Sequence, residues 1–449
     1  MSDDKPSLSF KWLYGSNAYG NGLLSGFVSS YIMIFLSDVS LVPVAFIGSL
    51  FFFSKMLNMC FSPVMGVVID RTESRWGKIK PWLLVGTLLI PPLNVALFTN
   101  TGFAGTKLLF YVSIVFVLGG LIGTIFGTAM GSVFPTLTRD VAERQKLSVI
   151  PGIGAVLGDF TTVGAVLPLL SVIAATQAEG YFRLVLIFAA LFMLSNLLFV
   201  KKYKERTSVE ATEKIKLKEM LKAVAKNDQL LVVQLVSFLL HVGTFITTGS
   251  ALYFFKYNMG NEGMYATFGI TVGLSQVAMM IVFPRLMRAL TKKAAFQLAA
   301  VILIAGYLLL FLSRGIVDTH FYIVYIGGIM LYLALGITSA IVPIFTADII
   351  DYGAWKTGER NNSTIVSITG VVGSFSEASK DFIVGTTLAV IGFVPNIVQT
   401  KHSLDGIVFL MTVIPMILVA LSLLVFTVFY KLNDKFYNRI LRELETNKK

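Results

Sequence analysis

The chain is built from a series of apolar runs, each close to the length of a membrane-spanning helix, and this feature limits its fold more than any other. A helix needs about 20 apolar residues to cross the hydrocarbon core of a bilayer. Such runs, separated by charges or by Gly, Pro and Asn clusters, lie near 12–36, 44–69, 81–99, 108–133, 147–174, 181–200, 230–256, 264–284, 295–313, 320–346, 363–393 and 406–430. The sequence therefore predicts an all-α polytopic membrane protein with twelve transmembrane helices.

The composition excludes other classes. Only 14% of the residues are charged, against about 25% in ordinary soluble domains, which argues against a soluble enzyme and against a disordered chain. A single cysteine, Cys60, excludes an internal disulfide, and three scattered histidines form no metal-ligand cluster. The first residues lack the basic region and cleavage site of a removable signal peptide, so the first run is expected to remain as a helix.

The basic residues set the expected orientation. Thirty of the 37 lysines and arginines lie in the two termini and in the connections after helices 2, 4, 6, 8 and 10. The positive-inside rule places those segments, and both termini, in the cytoplasm. The net charge of +12 is then explained by orientation in a plasma (inner) membrane, and no nucleic-acid partner is expected.

A polar stretch divides the twelve runs into two sixes. The predicted organisation is an N-terminal half at 1–200, a cytoplasmic linker at 201–228, a C-terminal half at 229–430 and a cytoplasmic tail at 431–449. Within the linker, 213–226 alternates charged and apolar residues, as in a helix lying on the membrane surface or a solvated connection. Two parallel six-helix halves describe the major facilitator fold, whose substrate site lies near the bilayer midplane.

Two motifs carry a more specific resemblance. The segment 66–82, which contains Asp70-Arg71 and Arg75-Trp76-Gly77-Lys78, follows helix 2, and the segment 347–360 follows helix 10. Both resemble the glycoside-pentoside-hexuronide cation symporter family of the major facilitator superfamily. The resemblance implies a sugar transporter driven by sodium or protons. The charged residues of these motifs and of the loop after helix 4 are the predicted cytoplasmic gate: Asp70, Arg71, Arg75, Lys78, Arg139, Asp348, Asp351 and Arg360.

The family's cation site is degenerate in this sequence. Melibiose-type members bind the cation with two acids one turn apart in helix 2, and alignment on Pro63 places Asn58 and Ser62 there. Thr124 matches a hydroxyl of that site. Losing two carboxylates removes most of the attraction for sodium, although neutral oxygens remain possible ligands. The expected coupling ion is therefore a proton rather than sodium, and no metal or other cofactor is expected.

The family's sugar-binding positions also differ, since its acids in helices 1 and 4 align with Gly22 and Gly127 and its arginine in helix 5 aligns with Gly152. Gly127 belongs to a four-residue ladder in helix 4. Small residues at that spacing either let two helices pack closely or widen a cavity for a larger substrate.

Ionisable residues at membrane depth are costly and are candidates for function. Asp159 has no neighbour in sequence that can neutralise it, and a buried carboxylate can exchange a proton near neutral pH. In helix 11, Glu377 lies three or four residues from Lys380 and Asp381 on one face, so this cluster either forms a local ion pair or has a role in the cavity or in coupling. His241 is either a core residue or a titrating group. Lys55, next to a basic family position, suits gating or pairing.

Neutral polar groups of helix 1 complete the predicted lining. The candidate substrate-binding residues are Asn17, Tyr19, Asn21, Ser29, Gly127, Asp159, His241, Glu377 and Lys380, with Asp159 and Glu377 also assigned to coupling. Protease, hydrolase and Walker motifs are missing from the sequence, which argues against an enzyme. The expected function is secondary active transport of a sugar or glycoside by a monomer in the lipid bilayer. The alternative is a carrier or facilitator of a non-sugar amphiphile without the family sodium site.

Overall fold

The computed structural model of the protein describes residues 7–137, 141–205, 227–313, 321–357 and 362–446. Within these ranges the chain forms long helices. In chain order they are α1 (Leu8–Ile34), α2 (Val44–Asp70), α3 (Lys80–Leu97), α4 (Gly105–Thr136), α5 (Val141–Ile173), α6 (Gln177–Lys202), α7 (Asp228–Tyr253), α8 (Gly263–Ala289), α9 (Lys292–Leu312), α10 (Tyr322–Thr357), α11 (Asn362–Val390), α12 (Lys401–Phe429) and α13 (Asp434–Thr446). Each predicted apolar run falls on one of α1–α12, in the predicted order.

Local sequence explains where several helices begin. The side chains of Ser7, Thr176, Asn227, Thr291 and Thr400 each accept a hydrogen bond from a backbone N–H in the first turn of the helix that follows. Such caps satisfy donors that have no partner inside the helix.

Eleven of the described helices are long and apolar enough to cross a membrane. α11 has a comparable length but a more polar composition, since it carries Glu377, Lys380 and Asp381 together with several serines. α10 continues past the predicted end of its apolar run to Thr357, so the motif that follows helix 10 in the sequence begins as a part of that helix. The predicted all-α, twelve-helix membrane architecture is confirmed.

The chain divides into two compact units. Unit 1 comprises Met1–Thr212 and Val394–Ile397, and unit 2 comprises Glu213–Phe393 and Val398–Lys449. In unit 1, α1 leads into a π-helical turn at Phe35–Val39; in unit 2, α7 leads into one at Phe254–Asn258. The first helix of each unit therefore ends in the same way, which shows the internal repeat in the backbone.

Candidate functional site

In unit 1 the candidate residues are positioned by a close contact between α1 and α5. Glycines make this approach possible: a Cβ on Gly22 would lie 2.4 Å from the carbonyl oxygen of Ala155, and one on Gly158 would lie 2.6 Å from that of Tyr19. Both distances are far below van der Waals contact. Gly22 is therefore needed for helix packing, which explains why this position carries no sugar-binding acid.

Asp159 lies at the edge of this helix pair. A Cβ on Gly26 would be 2.8 Å from Oδ1 of Asp159, so the carboxylate lies against α1. Its side chain is exposed, and no hydrogen bond or ion pair joins it to another described residue. Nearby on the same two helices, the Tyr19 hydroxyl donates to Thr161 Oγ1 at 3.3 Å, and the exposed Ser29 donates to the backbone oxygen of Gly26.

Two predicted lining residues of α1 are instead part of a buried amide network. Asn17, with no exposed surface, donates to Asn196 Oδ1 of α6 at 2.6 Å, and Asn21 donates to Asn17 Oδ1 at 3.3 Å. Asn196 in turn donates to Asn21 Oδ1 at 2.8 Å. Asn17 and Asn196 are buried and Asn21 is half-buried, and the hydrogen bonds among the three amides hold α1 against α6. Asn196 was missed, although an amide inside an apolar run is a visible signal.

The positions aligned with the family's cation site lie between α2 and α4. Asn58 faces Gly120, where a Cβ would be 2.5 Å from its Nδ2, and Ser54 lies beside it. The oxygens Asn58 Oδ1 and Ser54 Oγ are buried and have no hydrogen-bond partner among the described residues. Thr124 donates to the backbone oxygen of Gly120 at 2.9 Å. The cluster therefore offers neutral oxygens, and Ser62, half-buried on α2, adds no charge.

The glycine ladder of α4 does not pack against another helix in the described structure. A Cβ on each of its members would meet nothing within 4 Å. Gly127 is exposed, so this face of α4 is open rather than closed by a neighbouring helix. The open face argues against the packing interpretation of the ladder.

In unit 2 the candidate residues lie where α7 meets α11. Lys380 forms an ion pair with its neighbour Asp381, with 2.6 Å between Nζ and Oδ1, and both side chains are largely buried. The stem of Lys380 packs over α7, where a Cβ on Gly249 would be 3.0 Å from its Cδ. Glu377 is half-buried one turn earlier on α11. The observed ion pair of this cluster thus joins Lys380 to its sequence neighbour Asp381, a pairing that the spacing from Glu377 did not predict.

His241 lies on α7 with its ring stacked on Phe245, the centroids 5.5 Å apart. Its Nδ1 is buried and has no hydrogen-bond partner among the described residues. The imidazole is therefore not a satisfied core histidine, because a buried polar atom without a partner is costly.

The predicted gate acids of unit 2 are engaged at the end of α10. Asp348, which is buried, pairs with Lys292 at 2.5 Å, and Asp351 accepts a hydrogen bond from the Tyr437 hydroxyl at 2.8 Å. Tyr437 belongs to α13, so the tail helix is held to α10. Burial raises the pKa of the Tyr437 hydroxyl, which therefore stays protonated as a donor. Lys292 and Tyr437 were not foreseen, since their sequence context is that of ordinary interfacial residues.

A second contact fixes α13 in place. The Trp355 indole donates to Glu443 at 2.6 Å, and its ring meets that of Phe436 edge-on. The hydrogen bond from Trp355, supported by Arg439, lowers the pKa of Glu443. These contacts make α13 an ordered part of unit 2.

The predicted gate residues of unit 1 lie at the end of α2 and in the segment that follows it. Asp70, Arg71, Arg75 and Lys78 are all exposed, and Arg75 lies over the Trp76 ring at 5.1 Å. Asp70 makes no ion pair with any described residue. Arg139, Arg360 and most of the predicted linker, 206–226, lie outside the described residues.

Comparison with known proteins identifies the family. The family model for MFS/sugar transport proteins matches residues 13–434. This chain belongs to that family. It is therefore a membrane-embedded transporter of small molecules with the major facilitator fold, and not an enzyme.

Individual relatives cover the full length. The chain is 28% identical to the uncharacterized symporter YjmB of Bacillus subtilis, over 99% of this chain and 96% of that protein. It is 26% identical to the isoprimeverose transporter of Lactiplantibacillus pentosus, over 97% and 91%. Among solved structures, the xylose transporter XylE from E. coli has the same fold, with a TM-score of 0.64 and 13% identity over 95% of this chain and 99% of that one. The predicted resemblance to symporters of this family is confirmed.

Proposed function

We propose that the protein is a proton-coupled symporter that carries a sugar or glycoside across the membrane by alternating access. The observation that carries the proposal is the position of Asp159. It is an exposed carboxylate at membrane depth, placed over Gly26 and joined to no other described residue by an ion pair. An ionisable group in this setting marks a substrate or proton pathway.

A sugar substrate is supported by the relatives and by the groups around Asp159. One relative bears the name of a transporter for isoprimeverose. On α1 and α5, the side chains of Tyr19, Ser29 and Thr161 offer hydroxyl groups on exposed or half-buried positions. Hydroxyl and carboxylate groups are suitable partners for the hydroxyls of a sugar.

Coupling to protons rather than sodium is supported by the neutral side chains at the positions aligned with the family's cation site, between α2 and α4. Asn58, Ser62 and Thr124 supply only neutral oxygens, and carboxylates usually provide much of the affinity for hard cations. In unit 2, Glu377 is the second candidate for coupling. Lys380, largely buried and already paired with Asp381, is the remaining lining candidate on α11.

A second function, a carrier or facilitator of a non-sugar amphiphile without the family sodium site, is favoured by one observation. The open glycine face of α4, including Gly127, leaves space without any hydrogen-bonding side chain of its own. A sugar-free amphiphile would fit such a face as well.

We further propose a plasma-membrane location with both termini in the cytoplasm, as the distribution of basic residues indicates. A single chain is the proposed transport unit, without a cofactor or a nucleic-acid partner.

The experiment is uptake into proteoliposomes of labelled sugars, glycosides and apolar amphiphiles under a proton gradient, a sodium gradient or neither. Accumulation of a sugar or glycoside driven by protons alone supports the proposal. Accumulation that needs sodium contradicts proton coupling, and uptake restricted to sugar-free amphiphiles establishes the second function instead.

A further inference from the structure

The helices α6 and α12 end in the same way in the two units. Each helix stops at a tyrosine with an extended backbone, Tyr203 after α6 and Tyr430 after α12. The N–H of each tyrosine donates to the backbone oxygen of the phenylalanine four residues earlier, and the two rings stack. Both tyrosine side chains are buried. They therefore occupy corresponding positions in the internal repeat.

The hydroxyl groups of the two tyrosines differ in their partners. The Tyr203 hydroxyl forms a hydrogen bond of 2.7 Å with the hydroxyl of Thr136, the last residue of α4. The Tyr430 hydroxyl is also buried, but it has no hydrogen-bond partner among the described residues. A buried hydroxyl without a partner is costly. The missing partner is therefore a specific feature of unit 2.

The residue of unit 2 that corresponds to Thr136 is Asp348. Residues 129–137 and 341–349 have the same order of buried, half-buried and exposed positions wherever both segments are described, and this order pairs Thr136 with Asp348. Phe345, one turn before Asp348, packs on Tyr430 with 5.2 Å between ring centroids. Burial, and after it the charge of Asp348, raises the pKa of the Tyr430 hydroxyl, which therefore stays protonated as a donor. The repeat thus predicts Asp348 as the acceptor for Tyr430.

Lys292 holds this acceptor in the present structure. Its Nζ lies 2.5 Å from Oδ2 of Asp348, and both side chains are largely buried, so the first residue of α9 is joined to α10. Breaking such a pair alone is expensive, because it leaves a buried charge without compensation. The neighbouring Tyr437 hydroxyl already donates to Asp351 at 2.8 Å. The unpartnered hydroxyl of Tyr430 is the group that can lower this cost.

We propose that Tyr430 is a positioning residue of the predicted gate, and that its hydroxyl donates to Asp348 when Lys292 releases the carboxylate. This inference rests on the proposed transport by alternating access, which needs two states of the helix ends. In the state described here, the ion pair joins α9 to α10. In the second state, the hydrogen bond of Tyr430 joins α10 to the end of α12, as Tyr203 and Thr136 join α6 to α4. A buried carboxylate with two alternative partners is a two-state element.

The first test compares Tyr430→Phe with Tyr203→Phe, its matched control in unit 1. Tyr430→Phe removes a hydroxyl that has no partner, so the melting temperature in detergent should stay the same or rise. Tyr203→Phe removes a hydrogen bond and should lower the melting temperature. An equal fall in both variants overturns the inference, because the Tyr430 hydroxyl would then already have a partner in the resting state.

The second test follows the ion pair by chemical labelling of lysine amines and mass spectrometry, and it needs no substrate. A paired Lys292 is protected, so its labelling rate relative to the exposed Lys107 reports how often the pair opens. Tyr430→Phe should slow the labelling of Lys292 about tenfold, because the open state loses its hydrogen bond. Tyr203→Phe should not slow it. Unchanged or faster labelling of Lys292 in Tyr430→Phe overturns the inference.

Transport separates this inference from the proposed function. Tyr430→Phe should lower the maximal rate of substrate uptake into proteoliposomes about tenfold and keep the half-saturating concentration within about twofold. A wild-type maximal rate in Tyr430→Phe overturns the inference and leaves the proposed function intact. If no sugar or glycoside enters with the wild-type protein, the proposed function fails, and the labelling of Lys292 still decides whether Asp348 exchanges its partners.

Discussion

Leu41 and Gly260 occupy corresponding positions after the π-helical turns of the two units, and both have positive φ angles, 55° and 61°. The turns also share their closing bonds: the N–H of Val42 donates to Leu36, and that of Asn261 donates to Phe255. The left-handed conformation suits glycine but strains a leucine. Unit 1 therefore keeps a backbone geometry that its own sequence does not favour.

Replacing Leu41 with glycine should stabilise the protein. Glycine removes the left-handed penalty of about 1–2 kcal/mol. Its greater entropy in the unfolded chain offsets part of this, so the free energy of unfolding should rise by about 0.5–1 kcal/mol. The Leu41 side chain is 67% exposed, so little packing is lost. Thermal unfolding in detergent measures the effect. Leu41→Ala, which retains the Cβ, should give no gain, and an equal gain in both variants would contradict the strain argument.

Gly158→Ala should destabilise the α1–α5 contact. The added Cβ would lie 2.6 Å from the Tyr19 oxygen and 2.7 Å from the Leu23 nitrogen, both of them backbone atoms that move only if the helix moves. Overpacking of this kind costs about 1–3 kcal/mol. Gly152→Ala on the same helix is the control, since its Cβ would meet nothing within 4 Å. Equal melting temperatures for the two variants would show that α1 and α5 do not pack this closely.

Asn196→Ala should lower stability without changing the affinity for substrate. It leaves the Asn17 amide buried and without its 2.6 Å acceptor, and an unsatisfied buried group costs about 1–3 kcal/mol. Asn94→Ala is the control, and it should lower stability less. Among the described residues, the Asn94 side chain donates only to a backbone oxygen of its own helix. A large loss of affinity for substrate, with an unchanged melting temperature of the protein, would instead indicate that Asn17 and Asn21 bind substrate.

The sequence predicts the helices well because spans are defined by length and hydropathy, which are local properties. It predicts the roles of individual polar residues less well. Asn17 and Asp159 both interrupt apolar runs, but only the packing of α1 shows that Asn17 faces α6 while Asp159 remains exposed. Likewise, the four-residue spacing in α4 does not distinguish a packed face from an open one. Gly22 and Gly158, at less regular spacing, form the close contact.

Docking of α13 should weaken in acid. The pKa of Glu443 is lower in the folded protein than its ordinary value of 4.5, because Trp355 donates to the carboxylate. The stabilisation of α13 docking by the Glu443 carboxylate is therefore complete above pH 4.5, and it is lost as the pH falls through the lowered pKa. Trp355 fluorescence, in a variant whose other tryptophans are replaced by Phe, follows the change. Glu443→Gln should remove this transition, and an unchanged transition would assign it to another group.

The central claim is that Asp159 couples transport to protons, and the most direct measurement is the effect of Asp159→Asn on two reactions in proteoliposomes. Proton-driven accumulation should be lost, whereas counterflow exchange of substrate, which needs no net proton movement, should continue. Asp405→Asn, which neutralises an exposed acid near the start of α12, should keep both reactions. Proton-driven accumulation at the wild-type level in a folded Asp159→Asn protein would contradict the account.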